Sequence, residues 1–145
     1  MRALGLDHVS VTVGDLDRSI RFYGDLLGLA LTGRGEGSGP EMERITGLPG
    51  VRFLWAEFDL GASQVLELIQ YLEPPGAPLR QRINDPGSGH MGIRVDDGAA
   101  FRSRLLEAGV PVGEQVRITE AGDWHGVRVA YVTDPDGVTV ELVQR

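Results

Sequence analysis

The chain has 145 residues, a formal net charge of −7, 41% hydrophobic and 24% charged residues, and no cysteine. That composition fits one soluble globular domain, and it excludes disulfides and metal sites built on thiolates. Scattered basic residues under a net negative charge make nucleic acid and anionic membranes poor partners, whereas a small-molecule substrate stays open.

No apolar run approaches the roughly 18 residues of a membrane span, and the N-terminus lacks the apolar stretch of a signal peptide. A cytoplasmic location is therefore the expectation. The glycines fall mostly between alternating segments, which reads as tight turns in a strand-rich fold.

Residues 6–13 (Leu-Asp-His-Val-Ser-Val-Thr-Val) alternate with period two and predict a strand. Leu16, Ile20, Tyr23, Leu26 and Leu27 then follow at helical spacing, with Asp15 placed to cap the helix and Gly28 to end it. Three strands are expected near 29–34, 51–59 and 64–71. Residues 35–50 read as a loop with a short helical turn around Glu41 to Ile45.

The second half repeats this order. Residues 89–95 (Gly-His-Met-Gly-Ile-Arg-Val) predict a strand with His90 in the place of His8. Asp97 can cap a helix carrying Phe101, Leu105, Leu106 and Ala108, closed by Gly109. Strands near 113–118, 126–133 and 138–144 complete the copy. The expectation is one domain, 1–145, made of module one (1–74), a Pro- and Gly-rich linker (75–88) and module two (89–145). Each half has one helix for four strands and could hardly bury its sheet alone.

Side chains alternate between the faces of a strand, so the apolar ones identify the packed side. Val9, Val11 and Val13 leave His8, Ser10 and Thr12 on the opposite face, and Met91, Ile93 and Val95 leave His90, Gly92 and Arg94 there. Leu66 and Leu68 flank Glu67, while Val140 and Leu142 flank Glu141. A lone histidine or glutamate on a strand is usually solvated. Two of each at equivalent places in a repeat point instead to a metal site, with a donor set suited to Zn, Ni, Co, Mn or Fe.

Several other residues have a bland alternative. His125 reads as a solvated loop histidine and Tyr131 as an ordinary strand aromatic. Asp134 and Asp136 read as turn residues. Phe53, Trp55, Tyr71 and Trp124 can line a groove or pack a core. Arg52, Arg94 and Arg128 fall on strands, and Arg94 shares the face of His90.

The stretches LDHVSVTVGDLDRSIRFYGDLLGL, VLELIQY, GHMGIRV and DPDGVTVELVQ resemble the vicinal oxygen chelate superfamily of glyoxalase I, methylmalonyl-CoA epimerase, extradiol dioxygenases and bleomycin-resistance proteins. The resemblance implies an α+β fold: two paired β-α-β-β-β modules forming a cup-shaped mixed sheet, with helices outside. It also implies one divalent metal on His8, Glu67, His90 and Glu141, and a homodimer. Such enzymes stabilise an enolate or enediolate while a carboxylate, here Glu141 or Glu67, moves a proton. The epimerase's extra glutamate before the third strand has no counterpart in Gly47-Leu48-Pro49-Gly50-Val51. Alternatives are an Fe(II) extradiol-type dioxygenase using His8, His90 and Glu141, and a non-enzymatic antibiotic-binding protein.

Overall fold

A computed structural model describes residues 1–78 and 80–145. The chain is α+β and divides into two compact units, Met1–Pro78 and Leu79–Arg145. The linker expected over 75–88 includes Leu79, which lies outside the described residues. The rest of that stretch holds a turn in which Asp85 Oδ2 accepts from Arg82 N at 2.8 Å and Asp85 Oδ1 from Arg82 Nη2 at 2.8 Å. No helix among the described residues is long and apolar enough to cross a membrane.

The first unit opens with β1 (His8–Thr12) and α1 (Leu16–Ile20), which continues as a π-helical segment over Arg21–Leu26. Asp15 caps α1 as expected, its Oδ1 accepting from Arg18 N at 2.9 Å. The π turn changes which side chains face the sheet. Its i→i+5 pairing, with Leu27 N donating to Phe22 O at 3.0 Å, adds a residue to the turn. Phe22 thereby joins Leu16, Tyr23 and Leu27 in the core, while Ile20 and Leu26, expected there, are only half-buried.

Then come β2 (Ala30–Ser38), α2 (Pro40–Thr46), β3 (Arg52–Gly61) and β4 (Gln64–Glu73). The helical turn expected around Glu41 to Ile45 is α2, with Pro40 at its first turn and Gly47 in the left-handed conformation at its end, but residues 35–38 are strand rather than loop because β2 runs to Ser38. The sheet order is β1-β4-β3-β2, with β1 parallel to β4 and the other pairs antiparallel. Ala56, Phe58, Leu66 and Leu68 are fully buried on one face with Tyr23.

The second unit has β5 (His90–Arg94), α3 (Gly98–Glu107), β6 (Val116–Arg117), β7 (Arg128–Thr133) and β8 (Thr139–Gln144). Its order, β5-β8-β7-β6, and its pattern of parallel and antiparallel pairs match the first unit strand for strand. Asp97 caps α3 through its Oδ1, at 3.1 Å from Ala99 N and 3.0 Å from Ala100 N. Leu105 is buried, but Leu106 is 46% exposed and Ala108 is also exposed, so the helix buries a narrower stripe than expected. The strand expected over 113–118 shrinks to Val116–Arg117, with one bridge between Val112 and Val132.

One device recurs in both units. Gln70 Oε1 accepts from Leu16 N at 2.9 Å, and Gln144 Oε1 accepts from Gly98 N at 3.2 Å. Each glutamine, three residues beyond Glu67 or Glu141, satisfies an orphan N–H at the start of the helix above its own sheet. Strand position and helix start are thereby tied together beside both glutamates.

Candidate metal centre

Each unit brings one histidine and one glutamate together by the same register. On β1 and β4, His8 lies opposite Val65 and Ser10 opposite Glu67. On β5 and β8, His90 lies opposite Thr139 and Gly92 opposite Glu141. The histidine and the glutamate are therefore offset by two residues in both units, on the face away from the buried leucines and valines. His8 Nε2 is 3.9 Å from Glu67 Oε2, and His90 Nε2 is 3.7 Å from Glu141 Oε2.

These gaps are too long for hydrogen bonds, which need about 2.7–3.2 Å between nitrogen and oxygen. They do suit two donors of one cation. Ligands held at about 2.0–2.2 Å from a common ion lie at most about 4.4 Å apart. The donors are imidazole nitrogens and carboxylate oxygens, the types a borderline divalent ion takes. In its chemistry and in its spacing, each pair fits half of a metal site. Within either unit, no three His, Asp or Glu side chains among the described residues gather as a metal cluster.

The pairs differ in their surroundings. In the first, Asp7 Oδ1 lies 2.9 Å from His8 Nδ1 and leaves Nε2 toward Glu67. That hydrogen bond raises His8 above its ordinary 6.5; solvation loss opposes it, and the charges of Glu67, Asp7 and Glu57 add to the rise. In the second, Tyr131 stands opposite Glu141 and its ring meets the His90 ring edge-on, with centroids 5.6 Å apart. Tyr131 is a strand aromatic, as expected, with its ring against that of a candidate ligand.

Glu57 was missed in the sequence. It stands opposite Glu67 on β3, as Tyr131 stands opposite Glu141 on β7. The available signal was its parity: Ala56 and Phe58 face the core, so Trp55 and Glu57 face the other way.

On that face of the first unit a cavity of about 500 Å³ is lined by Glu36, Met42, Phe53, Trp55, Glu57 and Glu67, among others. Phe53 and Trp55 fit there because β2 presents glycine opposite them, at Gly37 and Gly35. A Cβ on Gly35 would come within 2.8 Å of Trp55 Cζ2. Tyr71 lies beside Phe53, with ring centroids 5.7 Å apart.

The remaining candidates lie elsewhere. Trp124 is 43% exposed in a loop of the second unit, where the Arg145 guanidinium lies 4.8 Å from its ring. His125 is an exposed loop residue whose Nδ1 is 3.2 Å from Thr119 O. Asp134 is buried and fixes the expected turn, its Oδ1 accepting from Asp136 N at 2.9 Å and Val138 N at 2.8 Å. Arg94 is exposed on the His90 face, Arg128 shares the parity of buried Ala130 and Val132, and Arg52 is exposed at the start of β3.

Known proteins share this architecture. A lactoylglutathione lyase described as probable, from Synechocystis sp., is 32% identical over 139 residues, covering 94% of this chain and 92% of that protein. A 2-epi-5-epi-valiolone epimerase from Actinomyces sp. is 32% identical over 148 residues, covering 97% of this chain and 79% of that one. The crystal structure of a glyoxalase family protein from Bacillus cereus superposes with a TM-score of 0.84 at 26% identity, covering 99% of this chain and 95% of that one. With residues 5–142 matching the family profile, the chain belongs to the Glyoxalase/Bleomycin resistance protein/Dioxygenase superfamily.

Proposed function

We propose that this protein is a metal-dependent lyase or isomerase that moves a proton on a carbon next to a carbonyl of a small-molecule substrate. His8, Glu67, His90 and Glu141 are the proposed ligands of one divalent ion (Zn, Ni, Co, Mn or Fe), within one glyoxalase-like domain. The observation that carries this reading is the repeated pair: one imidazole and one carboxylate per unit, in the same register, at 3.9 and 3.7 Å. When bound, the ion would act as a Lewis acid toward the substrate carbonyl. The relatives named as a lyase and an epimerase support that reaction class. The family resemblance also supports a homodimer and a cytoplasmic location.

The chain's own carboxylates do the proton work. Glu141 and Glu67 can each accept the proton and return it to a neighbouring atom, a service typically worth about 10²–10⁴ in rate. Glu141 is the more enclosed, with 13% of its side chain exposed against 24% for Glu67. Both keep some contact with solvent, so a proton taken up by either can exchange with water before it is returned. His8 holds position rather than carries the proton, since its Nδ1 is already engaged by Asp7.

The test is deuterium exchange. Protein reconstituted with Zn, Ni or Co, given a carbonyl substrate in D₂O, is expected to place deuterium next to the carbonyl. Glu141→Gln is expected to slow this at least about 100-fold. An Fe(II) extradiol-type dioxygenase is a second reading, favoured by the ring contact between Tyr131 and His90. Oxygen uptake with a catechol would replace the first reading by that one. A protein that binds no metal and merely holds an aromatic compound on Phe53 and Trp55 would replace both.

A further inference from the structure

Three features of the cavity beside Glu67 bear on what enters it. The first is charge. Among the described lining residues, Glu57 and Glu67 put carboxylates on this face, Glu36 being paired with Leu54 and so turned to the other, and none is an arginine, lysine or histidine. The chain has no lysine at all, so every fixed positive charge on a side chain is an arginine, and the cavity excludes them. With Glu67 given to the proposed ion, a ligand portion carrying carboxylates or phosphates would still meet the Glu57 carboxylate there, with no arginine on the wall to pair with it.

The second is hydrogen-bonding sense. Ionised carboxylates accept and do not donate. Among the described residues, the carboxylate of Glu57 receives no hydrogen bond and remains partly open to solvent. It is free to take O–H groups of a ligand. The third is the aromatic wall. Trp55 and Phe53 can offer ring faces to the C–H side of a saturated ring, the half of a polyol that carboxylates do not serve.

We infer that this cavity selects an uncharged, hydroxyl-rich carbonyl compound, with Glu57 accepting from its hydroxyls and Trp55 against its C–H face, and that it rejects anionic thioesters and thiol conjugates. The inference rests on the metal-dependent reading above for the carbonyl alone. The selection of hydroxyls over anions rests on the cavity itself. Glu57 is in this view a specificity residue, placed directly across from Glu67 so that the ligand's hydroxyls and its carbonyl are handled by adjacent strands.

Trp55 serves as its own reporter once Trp124, the other tryptophan, is changed to Phe. In the Trp124→Phe protein, 2-keto-myo-inositol is expected to shift Trp55 fluorescence saturably, and S-lactoylglutathione at the same concentrations is not. Glu57→Gln is expected to weaken the inosose response about tenfold, and Glu36→Gln, on the opposite face of β2, to leave it unchanged. Glu57→Lys should admit S-lactoylglutathione. Metal titration of the same samples by calorimetry separates the two ideas. If metal binds but S-lactoylglutathione outcompetes the inosose, or if Glu57→Gln leaves the inosose response unchanged in a folded protein, the selectivity inference is wrong and the metal reading stands. If the inosose shifts Trp55 in protein that binds no metal, the reverse holds.

Discussion

Asp7 holds Nδ1 of His8 at 2.9 Å, and the other nitrogen of the same ring faces Glu67. A carboxylate behind a histidine fixes the tautomer and aims the free nitrogen, and losing such a partner typically costs 10–100-fold in metal affinity. The residue before His90 is Gly89, so the second unit lacks this support. Asp7→Asn is therefore expected to weaken metal binding about tenfold at high pH, read by calorimetric titration.

The same contact sets a pH dependence. His8 is raised above 6.5, chiefly by the Asp7 hydrogen bond, and a metal needs the neutral ring. Metal affinity should hold at pH well above that raised value and fall as pH drops through it. Asp7→Asn removes the main cause, so the midpoint of the fall should move down toward 6.5. A midpoint that stays put in the variant would show that Asp7 does not govern the ring.

Glu57 and Glu67 face each other directly on antiparallel strands, an arrangement that costs stability when no cation lies nearby. Glu57→Gln should stabilise the metal-free protein by about 0.2–1 kcal/mol, measured by urea unfolding. The gain should shrink when metal is present, because a bound cation offsets the repulsion that the substitution relieves.

Gln70→Ala and Gln144→Ala each strip a partner from a helix start, at an expected cost of about 1 kcal/mol. Gln144 Oε1 also accepts from Gln115 Nε2 at 3.3 Å, so its loss should cost the more of the two. Equal and negligible effects in urea unfolding would mean that water replaces both glutamines.

The turn between β3 and β4 puts Ala62 and Ser63 at φ of 53° and 61°, a left-handed conformation that side chains with a Cβ resist. Two-residue hairpin loops of this kind prefer Asn-Gly. The double substitution Ala62→Asn, Ser63→Gly should raise stability by about 0.5–1 kcal/mol, visible as a higher Tm with unchanged metal affinity.

The sheet faces were legible in the sequence because strand parity is strict: Leu66 and Leu68 could not be buried without turning Glu67 away. The caps at Asp15 and Asp97 were legible for the same local reason. What escaped was tertiary. The run Gly35-Glu36-Gly37 looks like loop by propensity, yet it is strand because β3 pairs with it and the rings of Trp55 and Phe53 fill the space its glycines leave. The π turn after Ile20 gives no periodic signal until its pairing is seen, and so Phe22 was not expected in the core. The paired Glu-x-x-Gln of β4 and β8 was visible as a pattern, but its purpose needs the helix start that each glutamine reaches. Glu57 was readable by parity and acquires meaning only from its neighbour across the strand.

The most direct test of the central proposal is calorimetric titration of the metal-free protein with Ni²⁺ or Zn²⁺, comparing wild type with Glu67→Gln and Glu141→Gln. One ion per chain is expected, with either substitution weakening that same ion at least tenfold although the two glutamates belong to different units. Two independent ions, each lost with only one of the substitutions, would contradict it, as would no binding at all.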